Sequence, residues 1–430
     1  MKKSIEIPDC DYTKEPVLVT PNGQTPNHTL YLSNIDGQRF LRFSIRYLYL
    51  YKRSVAPATL RASLSAVLQE YYPLAGRLRA VGGDSEKLEL DCNGEGALFV
   101  EASSAISVDQ FLDGSQRPNK SWRKLLYRLD SQNFISIPPL VIQVTHLRCG
   151  GMILCTALSH SLIDGIGTAQ FLQAWAHITS KPYSSLPIHP FHGRNVLKPR
   201  IPLQITSAHS EFTSPALQQP ASSLLDQFLR CEELVPVSVT FTPSQILQLK
   251  KLCIPSLKCT SFEALAAHVW RSWAVALDLP FSLRVKLLFS VNARNRLKPE
   301  LPKGFYGNGF VLGCAESTVE ELVGSNERRG VELVMEAKES VSDERVRSLI
   351  DLIEEKRGSP DLSASLVISQ WSKLGLEELD FGEGRPLHMG SLASEIYCLF
   401  LPVVGDFNAF TVLMSVPEKV AEKFEQYLKV

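Results

Sequence analysis

The sequence predicts an α/β protein built as two halves. Three observations carry this expectation. Short apolar β-type runs alternate with amphipathic helical segments on both sides of the midpoint. A Pro-rich stretch interrupts the chain at 181–222, where seven prolines block helix interiors and central strands. A length of 430 residues exceeds what one core usually serves. The expected organisation is a first domain at 1–180, a crossover linker at 181–222 and a second domain at 223–430.

In the first half, Pro57–Tyr71 places Leu60, Leu64, Val67, Leu68 and Tyr71 at helical spacing, with Pro57 in the first turn. The turn Pro73–Leu78 ends that helix. Leu140–Leu147 and Met152–Leu158 are β-type runs joined through Cys149-Gly150-Gly151, a hairpin signal. After the second run comes Ser159-His-Ser-Leu-Ile-Asp-Gly165, then a helical segment at Thr168–Ile178. The second half is expected to begin near Leu224. It shows helices at Pro243–Leu252 and Ser261–Ala276 and a strand ending near Arg294. A long charged helical region follows, from about Val319 to Glu355. Two β-rich runs come next, and a closing helix starts at Pro417 with Val420, Phe424 and Leu428 as its buried stripe.

Composition excludes several classes. Forty-five Lys and Arg balance forty-five Asp and Glu, so the net charge is zero. That argues against a broad nucleic-acid surface and against an anionic membrane surface. No apolar stretch is long enough to span a bilayer. The opening residues lack the apolar run of a secretory leader. Nine scattered cysteines without a CxxC pair read as reduced, mostly buried thiols of a cytoplasmic protein.

His160 is the leading candidate for chemistry. It follows a buried strand, where a side chain could project into a cleft, and a neutral imidazole is the usual biological general base. Asp164 and Gly165 follow it, and Gly165 would permit the sharp turn that brings Asp164 under the loop. Two competing readings are a structural His–Asp pair and part of a metal site. No other His, Cys or carboxylate stands nearby at ligand spacing, so no metal is expected. No G-x-S-x-G, G-x-G-x-x-G or P-loop pattern is present, which removes the serine-hydrolase, dinucleotide and nucleotide-phosphate readings.

Further pieces give a family resemblance. They are Tyr72-Pro-Leu-Ala-Gly-Arg77, Gln143-Val-Thr-His-Leu-Arg-Cys-Gly-Gly151, His160-Ser-Leu-Ile-Asp-Gly165, the helix Ser261–Arg271, Asn292-Ala-Arg-Asn-Arg296, Phe305-Tyr-Gly-Asn308 and Asp380-Phe-Gly-Glu-Gly384. In this order they resemble the BAHD acyltransferases of plants over nearly the whole chain. The resemblance implies two similar-sized chloramphenicol-acetyltransferase-like α/β domains with an active-site tunnel between them. It implies acyl transfer from acyl-CoA, as co-substrate and not as a permanently bound cofactor, to the hydroxyl or amine of a small acceptor. His160 would be the base, attack would be direct, and no acyl-enzyme would form. Ser369, with Trp371 beside it, is the candidate for holding the oxyanion. Asp164 would pair with an arginine and shape the loop. Asp380, Gly382 and Gly384 match the family's structural DFGWG motif, with Arg294 the expected partner of Asp380. A monomer is expected, and the residues that contact CoA are not assigned.

Two departures stand out. Glu383 replaces the motif's buried Trp, and Asn292 replaces the Asp of DxRxR. They keep open an alternative, a catalytically weak or inactive accessory protein in lipid or cuticle metabolism. The N-terminal stretches Glu15–Thr20 and Leu30–Asp36 resemble a hydroxycinnamoyl transferase subgroup acting on ω-hydroxy fatty acids, fatty alcohols or polyamines. An aliphatic alcohol acceptor is preferred over an amine.

Overall fold

Leu140–Leu147 and Met152–Ser159 form the expected antiparallel hairpin. Its turn closes with Gly150 at φ +86°, a conformation that favours glycine. The protein is seen here as a computed structural model that describes residues 5–81, 84–115, 118–129, 134–212, 232–253, 257–392 and 397–429. Cys231, residues 213–222 of the expected linker, and the expected start near Leu224 lie outside the described residues.

The hairpin sits inside a six-stranded sheet. From edge to edge it runs Val17–Val19, Ala97–Ser104, Leu140–Leu147, Met152–Ser159, Ser44–Tyr51 and His388–Ser391. Met152–Ser159 is buried at every residue, which explains its unbroken apolar run. Helix Pro57–Glu70 covers this sheet together with Gly165–Ser180. All five residues of the predicted stripe, Leu60 to Tyr71, are fully buried. The Trp175 indole N–H ties the two helices by donating to Ser63 Oγ at 3.0 Å. A three-stranded sheet of Thr29–Tyr31, Asp84–Asp91 and Arg77–Val81 completes this region.

The second six-stranded sheet runs Phe310–Thr318, Arg284–Asn292, Ser365–Gln370, Tyr397–Val403, Asp406–Pro417 and Leu234–Phe241. Helix Ser261–Ala276 is buried on nearly all sides, because helices Glu327–Glu339 and Glu418–Leu428 pack on it against the sheet. Thr260 caps it, with the Thr260 and Glu263 side chains each bonded to the other's backbone N–H. The long charged region is three helices, Val319–Gly324, Glu327–Glu339 and Asp343–Lys356. Thr318 and Ser342 cap the first and last of these through their side chains, and such residues start new helices where periodicity alone reads one. In the closing helix Phe424 and Leu428 are buried and Val420 is partly buried against the same core.

One strand crosses the expected division. His388–Ser391 pairs antiparallel with Ser44–Tyr51, so the segment 223–430 supplies an edge of the first sheet. The crossover from 181 to 212 has only short 3₁₀ turns, yet polar contacts fix it to helix Asp343–Lys356. The buried Asp351 carboxylate accepts from Arg200 N at 2.8 Å, Arg200 Nε at 2.7 Å and Gln204 N at 3.0 Å. Backbone groups that proline-rich chain cannot pair within itself are thereby satisfied. No helix among the described residues is long and apolar enough to cross a membrane.

Candidate active site

Strand Met152–Ser159 delivers His160 to the space between the two sheets. Its backbone N–H donates to the Phe43 carbonyl at 2.8 Å. Its carbonyl accepts from Asn308 Nδ2 at 2.7 Å. The main chain at His160 is therefore held by one residue from each half. The ring lies between Phe43, 5.2 Å away and edge-on, and Phe310 at 5.8 Å. Its Nδ1 is buried without a hydrogen-bond partner among the described residues. Burial pushes its pKa below the ordinary 6.5 and outweighs the upward pull of the Asp164 charge. The imidazole is therefore neutral at physiological pH, the state a proton acceptor needs.

Asp164 is engaged on every side. Arg294 grips it with two bonds, NH1 to Oδ2 at 2.8 Å and NH2 to Oδ1 at 2.9 Å. Gly167 N donates to Oδ1 at 2.8 Å, which caps helix Gly165–Ser180, and Gly309 N donates to Oδ2 at 3.0 Å. This bidentate pair joins the two halves. It corrects the expected Arg294–Asp380 pairing. Asp380 is exposed, and its Oδ1 accepts from Gly382 N at 2.7 Å and Gly384 N at 3.0 Å. Its work is to close its own loop, where both glycines have φ near +100°. Glu383 does not bury a charge: it is 40% exposed and meets Arg53 at 3.1 Å. Asn292 is exposed too, its Oδ1 accepting from Arg294 N.

Gly165 serves differently from the expected turn. It is the first helical residue, and a Cβ there would stand 3.4 Å from Leu374 and 3.7 Å from the Trp371 ring. Both are ordinary contact distances, so the space at Gly165 would admit a side chain's first carbon. Trp371 is buried and stacks on Tyr47 with centroids 4.3 Å apart. Val367, Ser369 and Trp371, along and just beyond strand Ser365–Gln370, line one cavity with His160.

That cavity measures about 520 Å³. Phe40, Phe262, Phe289, Phe310 and Tyr397 give it aromatic walls, and Arg296 and Lys338 bring positive charge to it. A second cavity of about 840 Å³ adjoins it, with Val367 lining both. Among the described residues no three His, Cys, Asp or Glu side chains gather as metal ligands would.

Sequence reasoning missed the support beneath His160. Asn308 also gives its N and Nδ2 hydrogens to Asp36 Oδ1, at 3.1 and 2.9 Å. Asp36 Oδ2 accepts from Ser33 N and Ser33 Oγ. Asp36 and Asn308 are both fully buried. The signal was available, since each is a polar residue closing a motif otherwise rich in apolar and glycine residues.

Comparison with known proteins fits this arrangement. The chain is 35% identical over 434 residues to an ω-hydroxypalmitate O-feruloyl transferase of Arabidopsis thaliana, covering 97% of this chain and 93% of that one. It is 34% identical to the fatty alcohol:caffeoyl-CoA acyltransferase of the same plant, covering 97% of each. Among solved structures, vinorine synthase shares the fold with a TM-score of 0.74 at 20% identity, covering 95% of each chain. F. graminearum TRI101 complexed with ethyl coenzyme A gives 0.77 at 16%, covering 93% of this chain and 97% of that one. The model of the Transferase family matches residues 12–429. The chain thus belongs to the Transferase family, the BAHD group its motifs resemble, and is an acyltransferase with the two-domain fold of that group.

Proposed function

We propose that this enzyme moves a hydroxycinnamoyl group from its CoA thioester to the hydroxyl of an aliphatic alcohol, with His160 as general base. The observation that carries the reading is a neutral, half-buried imidazole whose backbone is fixed from both halves and which borders an aromatic-walled cavity. His160 takes the acceptor's proton as its oxygen attacks the thioester carbonyl. A tetrahedral oxyanion forms, and Ser369 and Trp371 are the groups proposed to steady it. The C–S bond then breaks, CoA leaves as thiolate, and the imidazolium returns its proton. Asp164 and Arg294 hold the loop and do not touch the reacting atoms.

The aromatic walls suit a planar acyl group and Arg296 suits an anionic co-substrate, while Lys338 is already paired with Glu263 at 2.7 Å. Two relatives carry feruloyl and caffeoyl-CoA in their names. An alcohol is favoured over an amine because the nearby carboxylates are engaged: Asp164 by Arg294, Glu232 by Lys419 and Asp361 by Ser363. Neither departure buries a charge, since Asn292 is exposed and Glu383 is half-exposed beside Arg53, and this favours an active enzyme over an accessory role. We place the enzyme in the cytoplasm as a monomer, in keeping with eight free thiols among the described residues.

His160→Ala should lower kcat by about 10²–10⁴ in a thiol-trapping assay with feruloyl-CoA and an alcohol panel. Full activity in that variant would overturn the base assignment. The base must be unprotonated, so kcat/KM should fall on the acid side with a midpoint below 6.5. A midpoint above that value would place a different group in the role.

A further inference from the structure

Arg194 belongs to the crossover, where it opens the 3₁₀ turn Arg194–Leu197. It is only 1% exposed, while its neighbours Asn195 and Val196 are exposed. Its Nη2 donates to the Leu162 carbonyl at 3.0 Å. Its Nε stands 3.8 Å from Oδ2 of Asp36, which is wholly buried. The guanidinium also lies over the rings of Phe305, at 5.0 Å, and Tyr306, at 4.6 Å. Nε and Nη1 have no hydrogen-bond partner among the described residues. One hydrogen bond and a loose ion pair offset little of the cost of burying a cation, so stability alone is a weak reason for an arginine here. Gly307 makes room for it. A Cβ there would stand 2.2 Å from Nη1 and 2.3 Å from Cζ, far inside contact distance.

What this cation reaches is the loop that carries the candidate base. Residues 160, 162 and 164 are each held by a donor from beyond the first domain. Asn308 donates to the His160 carbonyl, Arg194 to the Leu162 carbonyl and Arg294 to the Asp164 carboxylate. Asp36 joins the first two, since Asn308 donates to its Oδ1 and Arg194 faces its Oδ2. The crossover is itself pinned beside this cluster. Phe191 N donates to the Gly304 carbonyl at 2.9 Å, and His192 Nδ1 lies 3.0 Å from the Tyr306 hydroxyl.

We propose that Arg194 is a positioning residue for acyl transfer. It fixes the middle of the His160–Asp164 loop through the Leu162 carbonyl, and through Asp36 and Asn308 it steadies the His160 carbonyl. The crossover is then part of the catalytic apparatus as well as a tether between the domains. The inference rests on the reading of His160 as base given above. Arg194 touches no reacting atom; it acts through where the imidazole sits, and a displacement of about 1 Å can cost roughly a hundredfold in rate.

The test uses two full-length variants. Arg194→Met keeps an unbranched chain and removes both charge and donor. Gly307→Ala removes no charge and pushes the guanidinium aside with its Cβ; Gly307 lacks the positive φ that would strain an alanine. Each is assayed for kcat and KM with feruloyl-CoA and dodecanol. The His160 imidazole is also titrated by NMR in histidine-labelled protein, its resonance assigned by its absence from His160→Ala. Arg194→Met should lower kcat about tenfold to a hundredfold, with KM close to that of the unaltered enzyme. Burial holds the imidazole pKa below 6.5, so a loosened loop that admits water should raise it toward that value. Gly307→Ala should move kcat and the pKa in the same directions by less, and with no charge removed its pKa change reports the loop. A folded Arg194→Met with unaltered kcat and imidazole pKa would overturn the proposal, whatever its loss in urea stability. So would an effect confined to KM. If Arg194→Met does not fold, Gly307→Ala decides by the same two readouts. Turnover surviving in His160→Ala would instead defeat the base reading, and the imidazole titration would still decide whether Arg194 fixes the loop.

Discussion

The loops at Asp164 and at Asp380 belong to two diagnostic motifs and end in similar residues, yet each is anchored differently. At the first, a carboxylate holds the halves together. Asp164 is nearly buried and meets a mostly buried Arg294 from the other half. At the second, the carboxylate is exposed and serves its own loop, while the neighbouring ring does the joining. Phe381 is 2% exposed and packs edge-on against Trp175 of the first half at 4.9 Å. One motif thus uses charge across the division and the other uses apolar area. A conserved-looking aspartate in a named motif does not by itself announce an ion pair.

The comparison can be broken first where the effects are largest. Asp164→Asn leaves Arg294 without its buried counter-charge and should cost about 3–5 kcal/mol in urea unfolding. Phe381→Ala should cost a similar amount, about 3–5 kcal/mol, through lost burial and a residual cavity. If Phe381→Ala were nearly neutral, the apolar anchoring of the second loop would be wrong. Asn308→Ala comes next. It leaves Asp36 Oδ1 and the His160 carbonyl short of donors, at about 1–3 kcal/mol. It should also lower kcat more than it raises KM, because the base is displaced while the cavities remain; a change confined to KM would argue against its positioning of His160. Asp380→Asn should cost no more than about 1 kcal/mol, since both of its loop bonds are accepted by Oδ1 and the amide oxygen can keep them. Glu383→Ala should fall within about 0.5 kcal/mol, because the Arg53 pair is exposed and screened. A large loss there would show that the replaced aromatic position matters after all.

Much of this was legible beforehand, for identifiable reasons. The helix at Pro57–Glu70 was readable because its stripe is periodic and begins with proline. His160 was readable because a fully buried strand ends just before it, and such a strand leaves a continuous apolar run. The pairing of Arg294 was not readable. It spans 130 residues, and nothing local distinguishes Asp164 from Asp380 as the partner. Gly165 was expected to make a sharp turn; it opens helix Gly165–Ser180, with the ring of Trp371, from a distant strand end, beside it. The edge strand His388–Ser391 is short and carries a glycine, so its crossing to the first sheet left little pattern.

The sequence by itself determined the alternation of strands and helices, the position of the candidate base and the family. These depend on local periodicity and on ordered motifs, which survive in one dimension. Tertiary structure alone decided which carboxylate receives Arg294 and that Asn308 and Asp36 brace the histidine. Each of these depends on side chains far apart in the chain meeting across the division between two sheets. Their energies come from burial and from directional hydrogen bonds, which exist only once that meeting has occurred.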